Sequence, residues 1–259
     1  MMFIDSHCHL HYDYDGKNIP TMVHEAGLAN VSIMINVATD TSLISTLEET
    51  SMNYPVIYHT AGVHPHEASS FKDSDLAIIE KAAGNIKCVA IGEIGLDYHY
   101  EHSTRQQQKK VLEQQLELAA TLGKPAVIHS REAEPDLLSI LKKHALSAKS
   151  APGVLHCYTG TMEFAMECLG MGFFISFSGI ITFKNAEKIR EVAKITPDDR
   201  LLIETDAPYL APVPFRGKKC EPSMLPSTAQ KISEIRSTPI EHVAAITTAN
   251  AKKLFRLPA

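Results

Sequence analysis

Two histidines separated by one residue end the first apolar run of the chain. The sequence begins MMFIDSHCHLH, so that His7 and His9 flank Cys8. Because residues i and i+2 of a β-strand point to the same face, the two imidazoles should converge while Cys8 faces the other way. Such a pair could bind a metal ion, although two packed polar residues would have the same spacing.

Further residues of metal-ligand type end later apolar runs. Together with the first pair, these residues are His7, His9, His64, Glu93, His129, His156 and Asp206. Imidazoles and carboxylates that cluster in a partly dry site are costly unless a cation holds them together. Their shared position at the ends of apolar runs therefore predicts a metal centre.

The predicted ligands are too many for one catalytic zinc ion, which takes about three protein ligands plus water. They suit two divalent cations about 3.5–4 Å apart. The assigned sets are His7, His9 and Asp206 for one cation, and His129 and His156 for the other. Glu93 is the expected bridge between them. This mixed set would accept Zn²⁺, Mn²⁺ or Mg²⁺ and does not choose among them.

The elements that would position these residues are short apolar runs alternating with helical patterns. The predicted strands are 2–6, 32–38, 56–63, 87–93, 125–129, 153–157, 173–178 and 201–205. The predicted helices are 19–29, 41–52, 74–84, 104–122, 134–145, 161–170, 186–195, 227–237 and 239–254. Most runs are continuously apolar, which suits parallel strands covered on both faces. Thr41 is predicted to cap one helix, and Gly123 to end another.

Eight strands alternating with helices predict a single-domain (β/α)₈ TIM barrel over residues 1–259. Such a barrel places its chemistry at the C-terminal ends of the strands, where the polar residues above fall. An open doubly wound sheet is the alternative. That fold usually carries a Gly-rich turn after its first strand, whereas the corresponding stretch here, SHCHLHYD, contains no glycine.

Composition limits the classes of partner and compartment. The formal net charge is −5, so no overall basic field attracts nucleic acid. The five cysteines form no C-x-x-C pair, which fits a reducing compartment. Neither a signal-peptide pattern nor an apolar run of membrane-spanning length is visible. The expectation is a cytoplasmic protein, monomeric by default, that does not enter membranes.

Several segments of the sequence resemble the TatD family of metal-dependent deoxyribonucleases, in the amidohydrolase superfamily. The segments are FIDSHCHL, AGVHPHEA, IGEIGLDYH, HSREA, LHCYTG, IETDAPYLAPVPFRG and EPSML. The resemblance implies a (β/α)₈ barrel and hydrolysis of phosphodiester bonds, typically as an exonuclease on DNA. It also implies the metal ligands already assigned, and it places His64 near the substrate phosphate.

Two positions depart from the family pattern. Cys220 stands where the family usually has Asn, and Ala207 stands where it has Ser in the motif ETDSPYL. Both lie in a loop expected to border the substrate, so the departures concern substrate preference.

The predicted catalytic residues are Asp206, Glu93 and His64. We expect Asp206 to accept the proton of the attacking water while it remains a ligand. His64 would donate to a phosphate oxygen or, alternatively, cap a turn. Glu204 is expected to orient a metal ligand from behind or, equally, to form an ion pair inside the barrel.

The sequence allows two interpretations for each of the other polar residues near the strand ends. Arg131 could pair with substrate phosphate or with a helix carboxylate. Arg216, in the basic segment RGKKC, could contact phosphate or lie in a solvated loop. Asp97 and Tyr98 are expected to shape the loop after the fourth strand, with substrate contact as the second interpretation.

Two rival functions remain open from the sequence. A binuclear barrel hydrolase could act on a small ester, amide or phosphoester, and such enzymes often bridge their metals with a modified lysine, whereas Glu93 takes that place here. A binding protein that kept the barrel is the non-enzymatic rival, but no predicted ligand is missing. If nucleic acid is the substrate, single-stranded DNA or frayed ends are expected, because no basic stripe exists to hold a duplex.

Overall fold

The computed structural model describes residues 1–145 and 152–258, and within them eight parallel strands form one sheet. The strands are β1 (Phe3–Cys8), β2 (Val31–Asn36), β3 (Ile57–Ala61), β4 (Cys88–Asp97), β5 (Ala126–Arg131), β6 (Gly153–Leu155), β7 (Phe174–Phe177) and β8 (Leu201–Ile203). Each strand pairs with the next in chain order. This order excludes the doubly wound alternative and confirms the (β/α)₈ barrel.

The barrel closes between its first strand and the residues after its last. Cys8 pairs in parallel with Ala207. The Asp206 N–H donates to the His7 carbonyl over 2.9 Å, and the His9 N–H donates to the Ala207 carbonyl over 2.8 Å. The two ends of the sheet therefore meet at residues that were predicted to bind metal.

Helices follow the strands and cover the outer face of the sheet. Within the described residues they are α1 (Ile19–Leu28), α2 (Ile44–Asn53), α3 (Asp73–Ala83), α4 (Arg105–Leu122), α5 (Glu134–Ala145), α6 (Met162–Gly170), α7 (Glu187–Ile195), α8 (Leu225–Arg236) and α9 (Ile240–Phe255). None of these helices combines the length and apolar character that crossing a bilayer would demand.

Two apolar clusters hold the layers together. The smaller one joins side chains from seven strands, among them Ile4, Val127 and Phe174, to Leu254 and Phe255 near the end of α9. Strands that are not neighbours can share such a cluster only inside the barrel, so the end of α9 closes the interior. The larger cluster packs the sheet against the helices and includes Cys8, which confirms that Cys8 faces away from the histidines.

Local sequence signals explain both ends of one helix and mislead at the start of another. Thr104 caps α4 through a reciprocal pair with Gln107, and Gly123 ends this helix in a left-handed conformation with φ of 62°. The predicted cap at Thr41 is wrong, because α2 begins at Ile44. Asp40 accepts a hydrogen bond from the Ser42 N–H over 2.8 Å, and this turn keeps Thr41 outside the helix.

All eight strands end one to four residues from their predicted positions, and three of these differences bear on the candidate site. β4 continues to Asp97, so Glu93 lies inside the strand rather than at its end. The pairing register between β4 and β5 shifts between Ile91 and Ile94, around Glu93. β6 and β8 end before His156 and Glu204, respectively. The polar residues of the barrel mouth are thus held by irregular backbone as well as by strands.

Candidate metal centre

Among the six predicted metal ligands, four imidazoles surround the carboxylate of Glu93. Oε1 of Glu93 lies 2.7 Å from His156 Nε2 and 2.9 Å from His129 Nδ1. Oε2 lies 3.4 Å from His7 Nε2 and 3.8 Å from His9 Nε2. Each carboxylate oxygen therefore faces a different pair of imidazoles, which is the geometry expected of a bridging ligand between two cations.

Asp206 completes the side of the site formed by β1. Its Oδ1 lies 3.7 Å from both His7 Nε2 and His9 Nε2. The residue has a left-handed backbone with φ of 56°, which turns the chain immediately after β8. Burial raises the pKa of Asp206 to about 6, against the opposing effect of His7 and His156.

Three donor sets in the described residues each lie within 4.8 Å: His7, His9 and Glu93; His7, His156 and Asp206; and His64, Glu93 and His129. His64, predicted as a substrate contact, thus also falls within reach of a cation. Its ring nitrogen Nε2 lies 3.4 Å from Glu93 Oε1, and burial lowers its pKa to about 4. Its Nδ1 accepts from the His66 N–H over 3.2 Å, as the turn-capping alternative predicted, so the neutral ring carries its proton on Nε2, which faces Glu93.

Three of the imidazoles are oriented by hydrogen bonds at their outer ring nitrogen, the one that faces away from the centre of the site. His9 Nδ1 lies 3.0 Å from the Val37 carbonyl. His156 Nδ1 lies 3.2 Å from Glu204 Oε1, and His129 Nε2 lies 3.1 Å from Asp97 Oδ2. Because carbonyl and carboxylate oxygens only accept hydrogen bonds, the outer ring nitrogens carry the protons. Once a cation displaces any proton on the inner nitrogens, these can present lone pairs to the centre, as metal ligands must.

The donor atoms on the inner side of the site are of the type, and lie close enough together, to bind divalent cations. The inner nitrogens of His7 and His9 are 3.2 Å apart, and those of His129 and His156 are 3.3 Å apart. Burial and the neighbouring His7 hold the pKa of His9 well below its usual range, so this imidazole is neutral. Lone pairs and carboxylates brought this close in a buried site repel one another unless protons or cations lie between them.

Binding of a cation by His129 would be linked to the loss of a proton from its ring. Burial opposes the charged imidazole, but hydrogen bonds to Asp97 and Glu93 outweigh this effect and raise the pKa of His129. Its inner nitrogen must lose any proton before it can act as a ligand, so metal binding at this position releases protons.

The remaining predicted residues take varied positions. Glu204 lies behind His156, as expected of an orienting residue, and also accepts from the Cys157 N–H over 2.7 Å. Arg131 is exposed at the end of β5, and its guanidinium lies 4.8 Å from the Tyr100 ring centroid. Arg216 stacks on Phe183 at 3.7 Å and contacts no candidate ligand in the described residues.

The two departures from the family pattern are both fully buried. Ala207 and Cys220 each have 0% of their surface exposed. Ala207 belongs to the bridge that closes the barrel, and the Cys220 N–H donates to the Pro208 carbonyl. They can affect the mouth only through the backbone of its loop.

Sequence reasoning gave too small a role to Asp97 and overlooked His66 and Tyr12. Asp97 contacts His129, and His66 Nε2 lies 3.0 Å from the same carboxylate oxygen of Asp97. The ring of Tyr12 stacks on His9 with centroids 5.2 Å apart. The pair in GVHPH has the same i, i+2 spacing as His7 and His9, a signal that could have identified His66.

Comparisons with known proteins identify a family that matches nearly the whole chain. The sequence model of a family described as TatD related DNase matches residues 4–256. An uncharacterized metal-dependent hydrolase of Bacillus subtilis, YabD, is 42% identical over 99% of this chain and 100% of its own length. The 3'-5' ssDNA/RNA exonuclease TatD of Erwinia tasmaniensis is 36% identical over 94% of each chain.

A solved structure extends the similarity to three dimensions. The TatD homologue YJJV from Escherichia coli K12 superposes with a TM-score of 0.93 at 30% identity, over 99% of this chain and 98% of its own. Sequence, fold and candidate site therefore lead to one assignment: this chain belongs to the TatD family of metal-dependent hydrolases.

Proposed function

We propose that this protein hydrolyses phosphodiester bonds of nucleic acid as an exonuclease, with single-stranded DNA or frayed ends as its preferred substrate. The observation that carries the proposal is the position of Glu93, whose two oxygens face separate pairs of imidazoles. Two divalent cations fit this arrangement, and Mg²⁺, Mn²⁺ or Zn²⁺ would suit its mixed donors. The Erwinia relative named as an exonuclease supports the choice of substrate.

When bound, the cations would lower the pKa of water and neutralise charge on the phosphoryl oxygens. The residues of this chain supply the remaining functions. Glu93 and the imidazoles fix where the reacting groups meet, and hydrogen bonds from the outer side hold the rings in one orientation. Asp206, whose Oδ1 faces both His7 and His9, is placed to accept the proton of the attacking water.

Substrate contacts are proposed on the side of the mouth formed by β4 and β5. Arg131 is exposed there beside Tyr100, which is itself 53% exposed. A guanidinium can pair with a phosphate, and a tyrosine ring can stack on a base. The basic segment near Arg216 contributes less charge than its sequence indicates, because Lys219 pairs with Asp13 and Asp15.

The test is digestion of single-stranded oligonucleotides labelled at the 3′ or 5′ end, with DNA beside RNA, in Mn²⁺, Mg²⁺ or Zn²⁺. We expect stepwise shortening that EDTA abolishes. His129→Ala should lower kcat/KM by about 10²–10³-fold, since it removes a group that positions the transition state. His242→Ala is the matched control, because this half-exposed histidine contacts Asp198 on the outer surface.

Two results would contradict the proposal. Full turnover by His129→Ala in the presence of metal would show that hydrolysis does not depend on the candidate metal centre. Inactivity on every oligonucleotide, together with hydrolysis of a small chromogenic ester or phosphotriester, would favour the small-molecule hydrolase instead.

A further inference from the structure

We propose that Asp97 is a positioning residue that fixes the ring orientation and tautomer of His129, and so sets the affinity of the centre for its cation. The inference rests on the proposed metal centre. Asp97 Oδ2 lies 3.1 Å from His129 Nε2, on the side of the ring away from Glu93. A carboxylate oxygen can only accept, so Nε2 carries a proton toward Asp97, and only the Nδ1 proton, which faces Glu93 over 2.9 Å, has to leave before a lone pair can bind a cation.

The Asp97 carboxylate is itself held in place from several directions. Its Oδ1 accepts from the backbone N–H groups of His99 over 2.9 Å and Tyr100 over 3.0 Å. Its backbone N–H donates to Gln108 Oε1 over 2.8 Å, and its carbonyl accepts from Gln108 Nε2 over 2.9 Å. The residue is only 1% exposed. One oxygen is thus used to anchor the carboxylate, and the other is directed at His129.

Asp97 Oδ2 has a second contact, and removing that contact provides a control for the test of the positioning role. Asp97 Oδ2 lies 3.0 Å from His66 Nε2, and the His66 side chain is 27% exposed. Removal of His66 perturbs the carboxylate from the rim side but leaves its contact with His129. If Asp97 acts through His129, loss of the rim contact should not affect metal binding.

Asp97→Asn is the decisive substitution, because it is close to isosteric. The amide oxygen can still accept from His99 and Tyr100, while the amide nitrogen now faces His129 and can only donate. His129 Nε2 must then become the acceptor, which moves the ring proton to the inner nitrogen. We expect the affinity for Mn²⁺, measured by electron paramagnetic resonance without substrate, to fall by about 10–100-fold.

Three measurements complete the design. Asp136→Asn is the matched control, since Asp136 is an exposed carboxylate that contacts Tyr98 and Lys109 in the same region. Asp136→Asn and His66→Ala should both keep the wild-type Mn²⁺ affinity. In the wild-type protein loaded with Zn²⁺, ¹⁵N NMR should find the His129 proton on Nε2, a result that does not depend on any variant folding.

The possible outcomes separate this proposal from the proposed function. Unchanged Mn²⁺ affinity in Asp97→Asn, or an equal loss in His66→Ala, would overturn the positioning role even if the wild-type enzyme digests DNA. A proton on Nδ1 of His129 in the Zn²⁺-loaded protein would also overturn it. Conversely, weakened Mn²⁺ binding in Asp97→Asn supports the role whatever the natural substrate is.

Discussion

His59 shows how a single buried side chain outside the metal centre can affect stability. It lies on β3, is fully buried, and places Nδ1 2.8 Å from Ser51 Oγ in α2. Ser51 in turn donates to the Glu48 carbonyl over 2.8 Å, so the His59 ring is the donor in their shared bond. Burial lowers the pKa of His59 to about 4, because the charged ring would have no water around it.

This shift predicts a loss of stability in acid. The unfolded chain binds a proton at His59 near its ordinary pKa of about 6.5, whereas the folded chain resists it until about pH 4. Folded-state stability is therefore lost as the pH falls through this window, by about 2 kcal/mol between pH 7 and pH 5. Urea unfolding of wild type and His59→Gln, with EDTA present, measures the difference.

His59→Gln should show a smaller drop in unfolding free energy over the same pH interval, although it is less stable than wild type at pH 7. Equal drops in the two proteins would show that His59 does not resist protonation in the folded state.

At the level of residues, the sequence predicted the position of a side chain best where adjacent residues in the same strand determine which way that side chain points. His7 and His9 converge because of their spacing in one strand, and their meeting could be predicted without the fold. The contact between Asp97 and His129 depends on β4 continuing past Glu93 and on the register that it adopts beside β5. No local pattern encodes such a pairing, so the sequence predicted for Asp97 a role in shaping its loop or, second, in contacting substrate.

The pair of strands β4 and β5 is the element on which the centre depends most directly. It carries Glu93, Asp97 and His129, and Gly95 sits opposite His129 in the ladder. Gly95 has a φ of 152°, and a Cβ atom placed on it would lie 2.0 Å from the His129 carbonyl oxygen. Only glycine permits the two backbones to approach closely enough at this point.

We therefore predict that Gly95→Ala separates the strands and disturbs His129. The clash and the unfavourable backbone should destabilise the protein by about 2 kcal/mol or more. Mn²⁺ affinity should fall as well, because the strand that carries His129 must shift. Urea unfolding with EDTA and metal titration measure the two effects separately.

Gly27→Ala provides the control for this element. Gly27 is in α1, and nothing lies within 4 Å of a Cβ placed on it. Alanine there should stabilise the helix by about 0.5–1 kcal/mol without affecting metal binding. A Gly95→Ala protein as stable as wild type would contradict the packing argument.

Strand boundaries also show what sequence patterns can and cannot determine at this level. Apolar runs located all eight strands, since both faces of each strand are covered. The runs could not show that β8 stops at Ile203, because the buried polar residues that follow it are held in part by side-chain contacts. Thr205 contacts Asp5 in β1, and Glu204 contacts His156 just after β6.

The whole molecule carries a formal net charge of −5, so its binding of nucleic acid must depend on a few local contacts. Each neutralised phosphate of a single strand contributes a slope of about −0.7 to log K against log salt. We expect a slope no steeper than about −2 for a single-stranded oligonucleotide bound to the Asp206→Asn variant in Mg²⁺. Fluorescence anisotropy across a KCl series measures it.

Arg131→Ala should make this salt dependence shallower by about 0.7, since it would remove one phosphate contact. A slope of about −4 or steeper, which six or more phosphates would produce, would contradict an end-on mode of binding at the barrel mouth.

The seam where the barrel closes has a consequence for biosynthesis. His7 and Asp206 are hydrogen-bonded neighbours in the ring although they lie far apart in the sequence. A nascent polypeptide that still lacks its eighth strand also lacks Asp206, so the proposed cation site would remain incomplete until translation has passed that residue. A full complement of bound metal would then mark those chains whose circular sheet has been completed.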